Sequence, residues 1–218
     1  AAGVRRLNVS LDSLDRGKFR EITGFDGFQD VWEGLDMARQ MGFDPIKINV
    51  VVMRGINDNE LLDFARLTFK YPYHVRFIEY MPIGVSESDH FFKYVPTSLI
   101  QSRLNAFQEL VPVPKDQHDG PSQRFRFRDA LGEIGFISPM SHHFCRTCNR
   151  LRLTASGKLR PCLLSNREID IKGPMRSGAP DSELAGIFLK AASSKEPEHR
   201  LTADHPLGSA SQMSSIGG

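Results

Sequence analysis

The stretch IKINVVV, residues 46–52, is one of three short β-rich runs; the others are RLNVSLD at 6–12 and HVRFIEYM at 74–81. Amphipathic segments separate them, and strands that alternate with helices are typical of βα units and a parallel sheet. Three parallel strands are too few to close a barrel and would leave an exposed sheet edge, which native folds avoid. The sequence therefore predicts an α/β fold, with residues 1–84 forming a domain built on a parallel sheet, part of which is missing upstream.

Two helices are predicted between these strands. The apolar face of the first consists of Phe28, Val31, Leu35 and Ala38. This helix is expected to end near Gly42, because glycine favours the left-handed conformation found after a helix end. In the second segment, Asn57 followed three residues later by Glu60 matches a capping box, which predicts a helix beginning there.

The character of the chain changes after Gly84. Long loops follow, then RFRFRD at 124–129 and EIGFISP at 133–139, which are expected to be antiparallel strands. A helix is predicted over 181–193, and the remaining tail is too poor in apolar residues to fold by itself. We therefore predict a second, α+β domain over 85–218.

The composition excludes several classes of protein. With 28 basic and 26 acidic residues, the net charge of +2 is too small to indicate a nucleic-acid partner. No apolar stretch is long enough to span a bilayer, and no signal region precedes the first strand, so neither a membrane protein nor a secreted one is expected. Three cysteines are an odd number at low density, which favours metal or redox chemistry over a disulfide framework.

Polar side chains alternate with apolar ones inside the predicted strands. Asn8, Ser10 and Asp12 fall on one face of the first strand, and Lys47 and Asn49 repeat the pattern in the second. Polar groups within a covered parallel sheet cost desolvation unless they meet partners, which a lumen holding polar ligands would supply. The alternative is an exposed edge of a small sheet with one wet face.

The third strand adds charge to this pattern. Arg76 and Glu79 lie near its carboxyl end, where the active sites of barrels are found. Three residues apart on a regular strand, they point to opposite faces and need not pair. Either residue could instead belong to an ordinary surface ion pair.

Cys145, Cys148 and Cys162 are all the cysteines of the chain, and their spacing is that of metal ligands. One interpretation is a zinc ion held by the three cysteines and either His142 or His143. A second is a [4Fe–4S] cluster with three protein ligands and one open iron. The third, three ordinary buried thiols, is weaker because random core cysteines rarely fall in this arrangement. Spacing alone slightly favours zinc.

Arg150 and Arg152 lie between the second and third cysteines. A hairpin centred near Ser156 is predicted, which would bring the last cysteine back towards the first two. On a strand the two arginines share a face, where two guanidinium groups can grip a phosphate chain. A solvated strand face would be the default interpretation for one arginine, but two beside a cysteine cluster suggest an anionic ligand.

Five ordered motifs carry a resemblance to a known family: LNVSLDSLD, KINVVVMRGIND, RFIEYMPIG, FCRTCNRLRLTASGKLRPCL and the terminal SSIGG. Together they resemble the GTP 3′,8-cyclase family of molybdenum cofactor biosynthesis, a family of radical S-adenosylmethionine enzymes. The likeness extends from about Arg6 to Gly218. It implies the second half of an incomplete (β/α)6 barrel, followed by a C-terminal α+β domain that carries an iron–sulfur cluster.

The resemblance also implies a reaction and its cofactors. A first [4Fe–4S] cluster cleaves S-adenosylmethionine, the resulting radical removes the ribose 3′ hydrogen of GTP, and the sugar radical closes onto guanine C8. The family's Cys-x3-Cys-x2-Cys motif for that first cluster is absent from this chain. The chain therefore resembles the later two thirds of the enzyme, a lyase, and is expected to be inactive as this fragment alone.

Roles carry over to this chain motif by motif. The resemblance implies that Cys145, Cys148 and Cys162 bind the second [4Fe–4S] cluster, whose open iron binds the guanine edge. It implies that Arg150, Arg152 and Lys47 bind GTP, and that Ser10 and Met81 bind S-adenosylmethionine. It further implies catalytic roles for Arg76 and for Gly217 and Gly218, since the double-glycine tail of the family reaches into the active site.

The same resemblance suggests partners and a location. GTP and S-adenosylmethionine are the expected ligands, the downstream cyclic pyranopterin monophosphate synthase is the expected partner, and a homodimer is allowed. The family works in the bacterial cytoplasm or the mitochondrial matrix. Two other hypotheses remain: a non-catalytic zinc-binding or cluster-binding interaction module, and a carrier protein activated at its terminal Gly218.

Overall fold

The computed structural model describes residues 3–81, 83–84, 92–114 and 120–199. The chain divides into two compact units. The first, here the sheet unit, comprises Ala1–Tyr80 and Lys93–Ser141. The second, here the cysteine unit, comprises Met81–Phe92 and His142–Gly218. The predicted domain division at residue 84 stays a prediction.

The sheet unit contains six described strands and four helices in the order β-α-α-β-α-β-α-β-β-β. The strands are β1 Leu7–Ser10, β2 Ile46–Val52, β3 Tyr73–Glu79, β4 Leu110–Pro112, β5 Gln123–Phe127 and β6 Glu133–Ile137. The helices are α1 Arg16–Thr23, α2 Phe28–Gln40, α3 Leu61–Lys70 and α4 Thr97–Phe107.

The six strands form one mixed sheet in the order β1-β2-β3-β6-β5-β4. β1, β2, β3 and β6 run parallel, which confirms the predicted parallel sheet. β5 pairs antiparallel with both β6 and β4. The predicted antiparallel pairing of the two later strands is therefore confirmed, and β6 extends the parallel sheet as well.

Local sequence determines the ends of the first two helices. The Asp15 carboxylate accepts a hydrogen bond of 2.9 Å from the backbone N–H of Lys18, and Gly24 ends α1 with a φ of 72°. α2 ends at Gln40, and Gly42 takes a φ of 76°, as predicted. In the predicted apolar face of α2, Leu35 and Ala38 are buried and Phe28 and Val31 pack against the core.

The predicted capping box before α3 is wrong. Glu60 is the N-cap residue, and its side chain does not cap the helix. It accepts instead from the backbone N–H of Leu14 at 2.7 Å and from the hydroxyl of Ser13 at 3.0 Å. Asn57 donates to the Asp12 carbonyl. Both side chains thus tie the segment after β1 to the start of α3.

The core of the sheet unit lies between the sheet and its helices. Alternate apolar positions of the central strands are almost completely buried: Ile48, Val50, Val75 and Phe77. α3 contributes Phe64 and α4 contributes Ile100, both fully buried. Burying a side chain of this size stabilises the folded state by about 1.5–3 kcal/mol, so this layer is what holds the helices on the sheet.

The cysteine unit is built from short elements. They are a 3₁₀ turn Cys145–Thr147, β7 Arg152–Leu153, β8 Lys158–Arg160, β9 Ile169–Asp170, α5 Lys172–Arg176 and α6 Asp181–Ser193. The three strands form an antiparallel sheet in the order β7-β8-β9. Its small core consists of the buried Leu159, Ile171 and Ala191. Four partly buried side chains pack against this core: Leu151, Ile169, Leu184 and Ile187.

A buried carboxylate fixes the carboxyl end of β3. Glu79 is fully buried and accepts hydrogen bonds from the backbone N–H groups of Thr97, Met140 and Ser141, each about 3 Å long. The Tyr94 hydroxyl also donates to it, and burial together with the carboxylate raises the pKa of Tyr94, so that it stays protonated. Glu79 thus joins β3, the start of α4 and the segment after β6.

We expect Glu79→Ala to lower the free energy of unfolding by about 3 kcal/mol, because it leaves several buried N–H donors without an acceptor. Urea denaturation followed by circular dichroism measures the change. The control is Glu21→Ala, at an exposed position on α1, which should change stability by about 0.5 kcal/mol or less. Equal stability of the two variants would contradict a central role for the Glu79 carboxylate.

Candidate functional site

Polar side chains of three neighbouring strands lie in register on one face of the main sheet. Two rows cross β1, β2 and β3, namely Asn8–Lys47–His74 and Ser10–Asn49–Arg76. The guanidinium of Arg76 donates to the Asn49 side-chain oxygen at 2.8 Å and to that of Asn8. The predicted polar stripe is therefore present. Asn8 and Ser10 are exposed on β1, which is an edge strand of this sheet, so the alternative of an exposed sheet edge applies to the first strand. Glu79 lies on the opposite face, as its spacing from Arg76 predicts.

A cavity of about 310 Å³ opens on this polar face. It is lined by Arg6, Asp44, Pro45, Lys47, His74, Arg76, Gly120, Ser122, Arg124, Glu133, Ile134 and Gly135. Apart from His74, four of these residues are basic and two are acidic, so the lining carries a net positive charge when His74 is neutral. A concave site with converging basic groups is suited to an anionic ligand.

One wall of the cavity is a charge network centred on Glu133. Arg124 donates two hydrogen bonds to this carboxylate, at 2.7 and 2.9 Å, and Arg126 donates one at 3.1 Å. Although burial opposes it, the hydrogen bond from Arg124 keeps the pKa of Glu133 below its usual value. Burial lowers the pKa of His74, so the imidazole is neutral at neutral pH.

Gly135 leaves room for the arginine in this site. It is the register partner of Arg76, and a Cβ atom built on it would lie 2.4 Å from the Ser122 hydroxyl oxygen and 3.0 Å from Arg76 Cγ. Ser122 is buried, and its hydroxyl has no hydrogen-bond partner among the described residues. A polar ligand in the cavity is one way to satisfy that hydroxyl.

The three cysteines lie around a hairpin, as predicted. The 3₁₀ turn places the N–H of Cys148 3.1 Å from the Cys145 carbonyl oxygen. Arg152 then faces Arg160 across the β7–β8 pair, and the Thr154 N–H donates to the Lys158 carbonyl, so the turn is centred at Ser156. The hairpin thus returns the chain towards Cys148 before it reaches the third cysteine.

The thiols come close enough to influence one another electrostatically. Burial raises the pKa of Cys162, and the neighbouring Cys145 and Cys148 raise it further. A bound metal centre would reverse this, because thiolates coordinate as anions. The donor set of three half-buried thiols therefore fits a zinc or iron–sulfur centre.

The distances between ligand atoms bear on which centre fits. Within the described part of the chain, the one trio of histidine, cysteine or carboxylate groups with all ligand atoms inside 4.8 Å is His143, Cys145 and His199. At least one pair of the three cysteine sulfurs is thus farther apart, whereas a tetrahedral zinc ion holds its sulfurs about 3.8 Å apart. A cubane cluster spaces its ligands more widely, because each cysteine binds a different iron.

Arg150 and Arg152 do not share one regular strand, because β7 begins at Arg152. The two side chains are nevertheless close, since Arg150 contributes to lowering the pKa of Arg152, after burial as the main cause. The thiols of Cys148 and Cys162 act in the opposite direction. The two arginines and the cysteines therefore form one local cluster in the cysteine unit.

The other predicted site residues are distributed over both units. Ser10 lies at the end of β1 on the polar face, in the same row as Arg76. Met81 lies two residues after β3 in the cysteine unit. Gly217 and Gly218 lie outside the described residues, so their role stays a prediction.

Several cavity residues were not predicted from the sequence, among them His74, Arg124, Glu133 and Gly135. The alternating arginines of RFRFRD gave the only local signal. Their neighbour in space, Glu133, comes from a strand whose position beside β3 depends on long-range pairing.

In the described part of the chain, no helix is both long and apolar enough to cross a membrane.

Comparison with known families assigns both parts of the chain. The family described as Molybdenum Cofactor Synthesis C matches residues 73–201, and the Radical SAM superfamily matches residues 1–68.

Curated relatives match the chain over its whole length, and two of them serve as examples. The GTP 3′,8-cyclase of Moorella thermoacetica is 48% identical over 217 residues, which are 66% of that protein. The GTP 3′,8-cyclase of Heliobacterium modesticaldum is 46% identical over 219 residues, which are 67% of it. The chain thus spans about two thirds of the length of these relatives. It belongs to the molybdenum cofactor synthesis family and is a homologue of the radical SAM GTP 3′,8-cyclases.

Proposed function

We propose that this chain supplies the substrate-binding part of a GTP 3′,8-cyclase, which converts GTP to 3′,8-cyclo-7,8-dihydroguanosine 5′-triphosphate. The observation that carries the proposal is the cluster of three cysteines and two arginines in one small unit, with Arg152 in electrostatic reach of Cys148 and Cys162. Soft thiolate ligands beside paired guanidinium groups suit a metal centre next to a phosphate-bearing ligand.

Each group in the cysteine unit has a distinct role in this proposal. Cys145, Cys148 and Cys162 hold a [4Fe–4S] cluster, which supplies an open coordination position for the guanine edge when it is bound. Arg150 and Arg152 grip the triphosphate, because planar guanidinium groups donate two parallel hydrogen bonds to phosphate oxygens.

The polar face of the sheet unit contributes further contacts. Lys47 and Arg76 lie in neighbouring rows of that face and provide positive charge for an anionic nucleotide. Ser10, in the row of Arg76, and Met81 bind S-adenosylmethionine. Arg76 and the terminal Gly217 and Gly218 serve the reaction itself. The first cluster, which cleaves S-adenosylmethionine, belongs to the part of the relatives that this chain does not span.

The proposal extends to partners and location. The cyclised triphosphate passes to a cyclic pyranopterin monophosphate synthase, and a homodimer is the proposed assembly. The site of action is the bacterial cytoplasm or the mitochondrial matrix.

One observation favours a second candidate, a non-catalytic zinc-binding module. His143, Cys145 and His199 are close enough to bind one ion, and the two rings contact each other through nitrogen atoms 2.7 Å apart. Imidazole and thiolate are the ligands that zinc prefers. This candidate uses only one of the three cysteines, so it leaves Cys148 and Cys162 without a function.

Metal analysis distinguishes the two candidates. After anaerobic reconstitution with iron and sulfide, we expect about four iron and four sulfide per chain, because all the cysteines lie at this site. Cys162→Ser should lose the cluster, whereas His143→Ala should retain it. One zinc without sulfide, lost on His143→Ala and kept in Cys162→Ser, would support the zinc module and refute the cluster.

Replacing both Arg150 and Arg152 by alanine should raise the Kd for GTP at least tenfold, because each charged hydrogen bond contributes about 1.5–3 kcal/mol. Iron content should not change. Calorimetric titration measures the affinity, and guanosine serves as a ligand without phosphates whose binding should be unaffected. The matched control is Arg176→Ala, an exposed arginine of α5. An unchanged GTP affinity in the double variant would remove the triphosphate assignment.

Gly135→Ala should weaken GTP binding about tenfold, because the new Cβ would press on the Ser122 hydroxyl and displace the Arg76 side chain. The comparison is Gly34→Ala on α2, where a Cβ meets no atom within 4 Å. That variant should bind GTP normally and be slightly more stable, since alanine favours helix more than glycine does. Equal GTP affinity in both variants would show that the cavity does not bind the nucleotide.

A further inference from the structure

A lysine from the end of the last described helix reaches the cysteine segment. Lys195 follows α6 by two residues, and its ammonium group lies 2.8 Å from the Cys148 carbonyl oxygen and 2.9 Å from that of Arg150. The same nitrogen lies 3.5 Å from the Cys148 sulfur. A lysine ammonium has three donors, and these three acceptors use all of them.

The backbone that leads to this ammonium is anchored by packing and by hydrogen bonds. Ala191, in the last turn of α6, is fully buried in the small core of the cysteine unit. The N–H of Ser194 continues the helical pattern to the Lys190 carbonyl at 3.0 Å, and Arg167 donates to the Ser194 carbonyl at 2.9 Å. The backbone immediately before Lys195 is therefore held in place.

We propose that Lys195 is a positioning residue that tunes the iron–sulfur centre of this unit. It donates to the thiolate of Cys148 and holds the backbone of Cys148 and Arg150, so that one side chain orients both a cluster ligand and a phosphate-binding arginine. This inference rests on the proposed function, because it requires a cluster at the three cysteines.

The charge of Lys195 shifts the reduction potential of the cluster in one direction. Reduction adds an electron to the cluster and makes its cysteine sulfurs more negative. A positive charge that donates a hydrogen bond to one of these sulfurs stabilises the reduced form more than the oxidised form. Lys195 therefore raises the reduction potential. A lysine that only satisfied two carbonyl groups would stabilise the fold without this effect.

The test compares three variants of the 218-residue chain after anaerobic reconstitution. Lys195→Met keeps the length of the side chain and removes its charge and its donors, whereas Lys195→Arg keeps the charge. Lys190→Met, at an exposed position on α6, removes the same charge elsewhere on the helix. Because all three cysteines lie at this site, the electron paramagnetic resonance signal of the reduced protein reports one cluster only.

In Lys195→Met we expect the equilibrium constant for reduction to fall about tenfold, which is a potential more negative by about 59 mV for a one-electron couple. Iron should also be lost faster to a chelator. Lys195→Arg should lie between Lys195→Met and the unmodified chain, and Lys190→Met should match the unmodified chain. If Lys195→Met binds no cluster, two further results would still support the proposal. The circular dichroism spectrum of Lys195→Met should match that of the unmodified chain, and Lys195→Arg should bind the cluster.

Two results would overturn the inference while leaving the proposed function intact. One is an unchanged potential and chelation rate in a loaded Lys195→Met variant; the other is an equal shift in Lys190→Met, which would indicate a general charge effect. Failure of the unmodified chain to bind any iron–sulfur cluster would instead refute the proposed function, and this inference with it.

Discussion

The arrangement of the sheet unit depends on the buried carboxylate of Glu79. Its oxygens accept from the backbone of Thr97 and of Met140 and Ser141, so the start of α4 and the segment after β6 are tied to the end of β3. A buried carboxylate is tolerated only with such a set of donors. Because Arg76 lies three residues earlier on the same strand, fixing Glu79 on one face fixes the arginine on the cavity face. One strand thereby connects the stability of the unit with its candidate site.

Hydrogen bonds between side chains of neighbouring strands offset the desolvation cost of the arginines on the polar face. Asn8 and Asn49 accept from Arg76, and Glu133 accepts from Arg124, so these guanidinium groups are held in place before a ligand arrives. The amide oxygens of Asn8 and Asn49 do not neutralise the charge of Arg76, however, so the cavity keeps a net positive charge. A preorganised basic cavity costs little reorganisation when an anion binds, which is why it is better suited to an anionic ligand than a set of solvated surface lysines.

The parts of this structure that the sequence predicts are those determined by neighbours in the chain. The alternating IKINVVV stretch predicts both the strand and the face that carries Lys47, and the Cys-x2-Cys pair with its hairpin predicts the cysteine cluster. The predicted capping box does not form, because Asn57 and Glu60 make hydrogen bonds to the segment after β1, 40 or more residues away in the chain. Glu133 was missed for the same reason, since its position depends on β6 pairing with β3.

Lys195 shows why this limit matters most at the proposed metal centre. The ligands can be predicted because a hairpin brings them together, but the group that contacts their backbone comes from 47 residues further along the chain. Lys195 follows α6 by two residues, and this helix is held by a small core. Detaching α6 from the sheet would therefore remove the positive charge beside Cys148 without removing any cysteine. If the proposed cluster is bound at these cysteines, its reduction potential is for this reason linked to the folding of a helix that supplies none of its ligands.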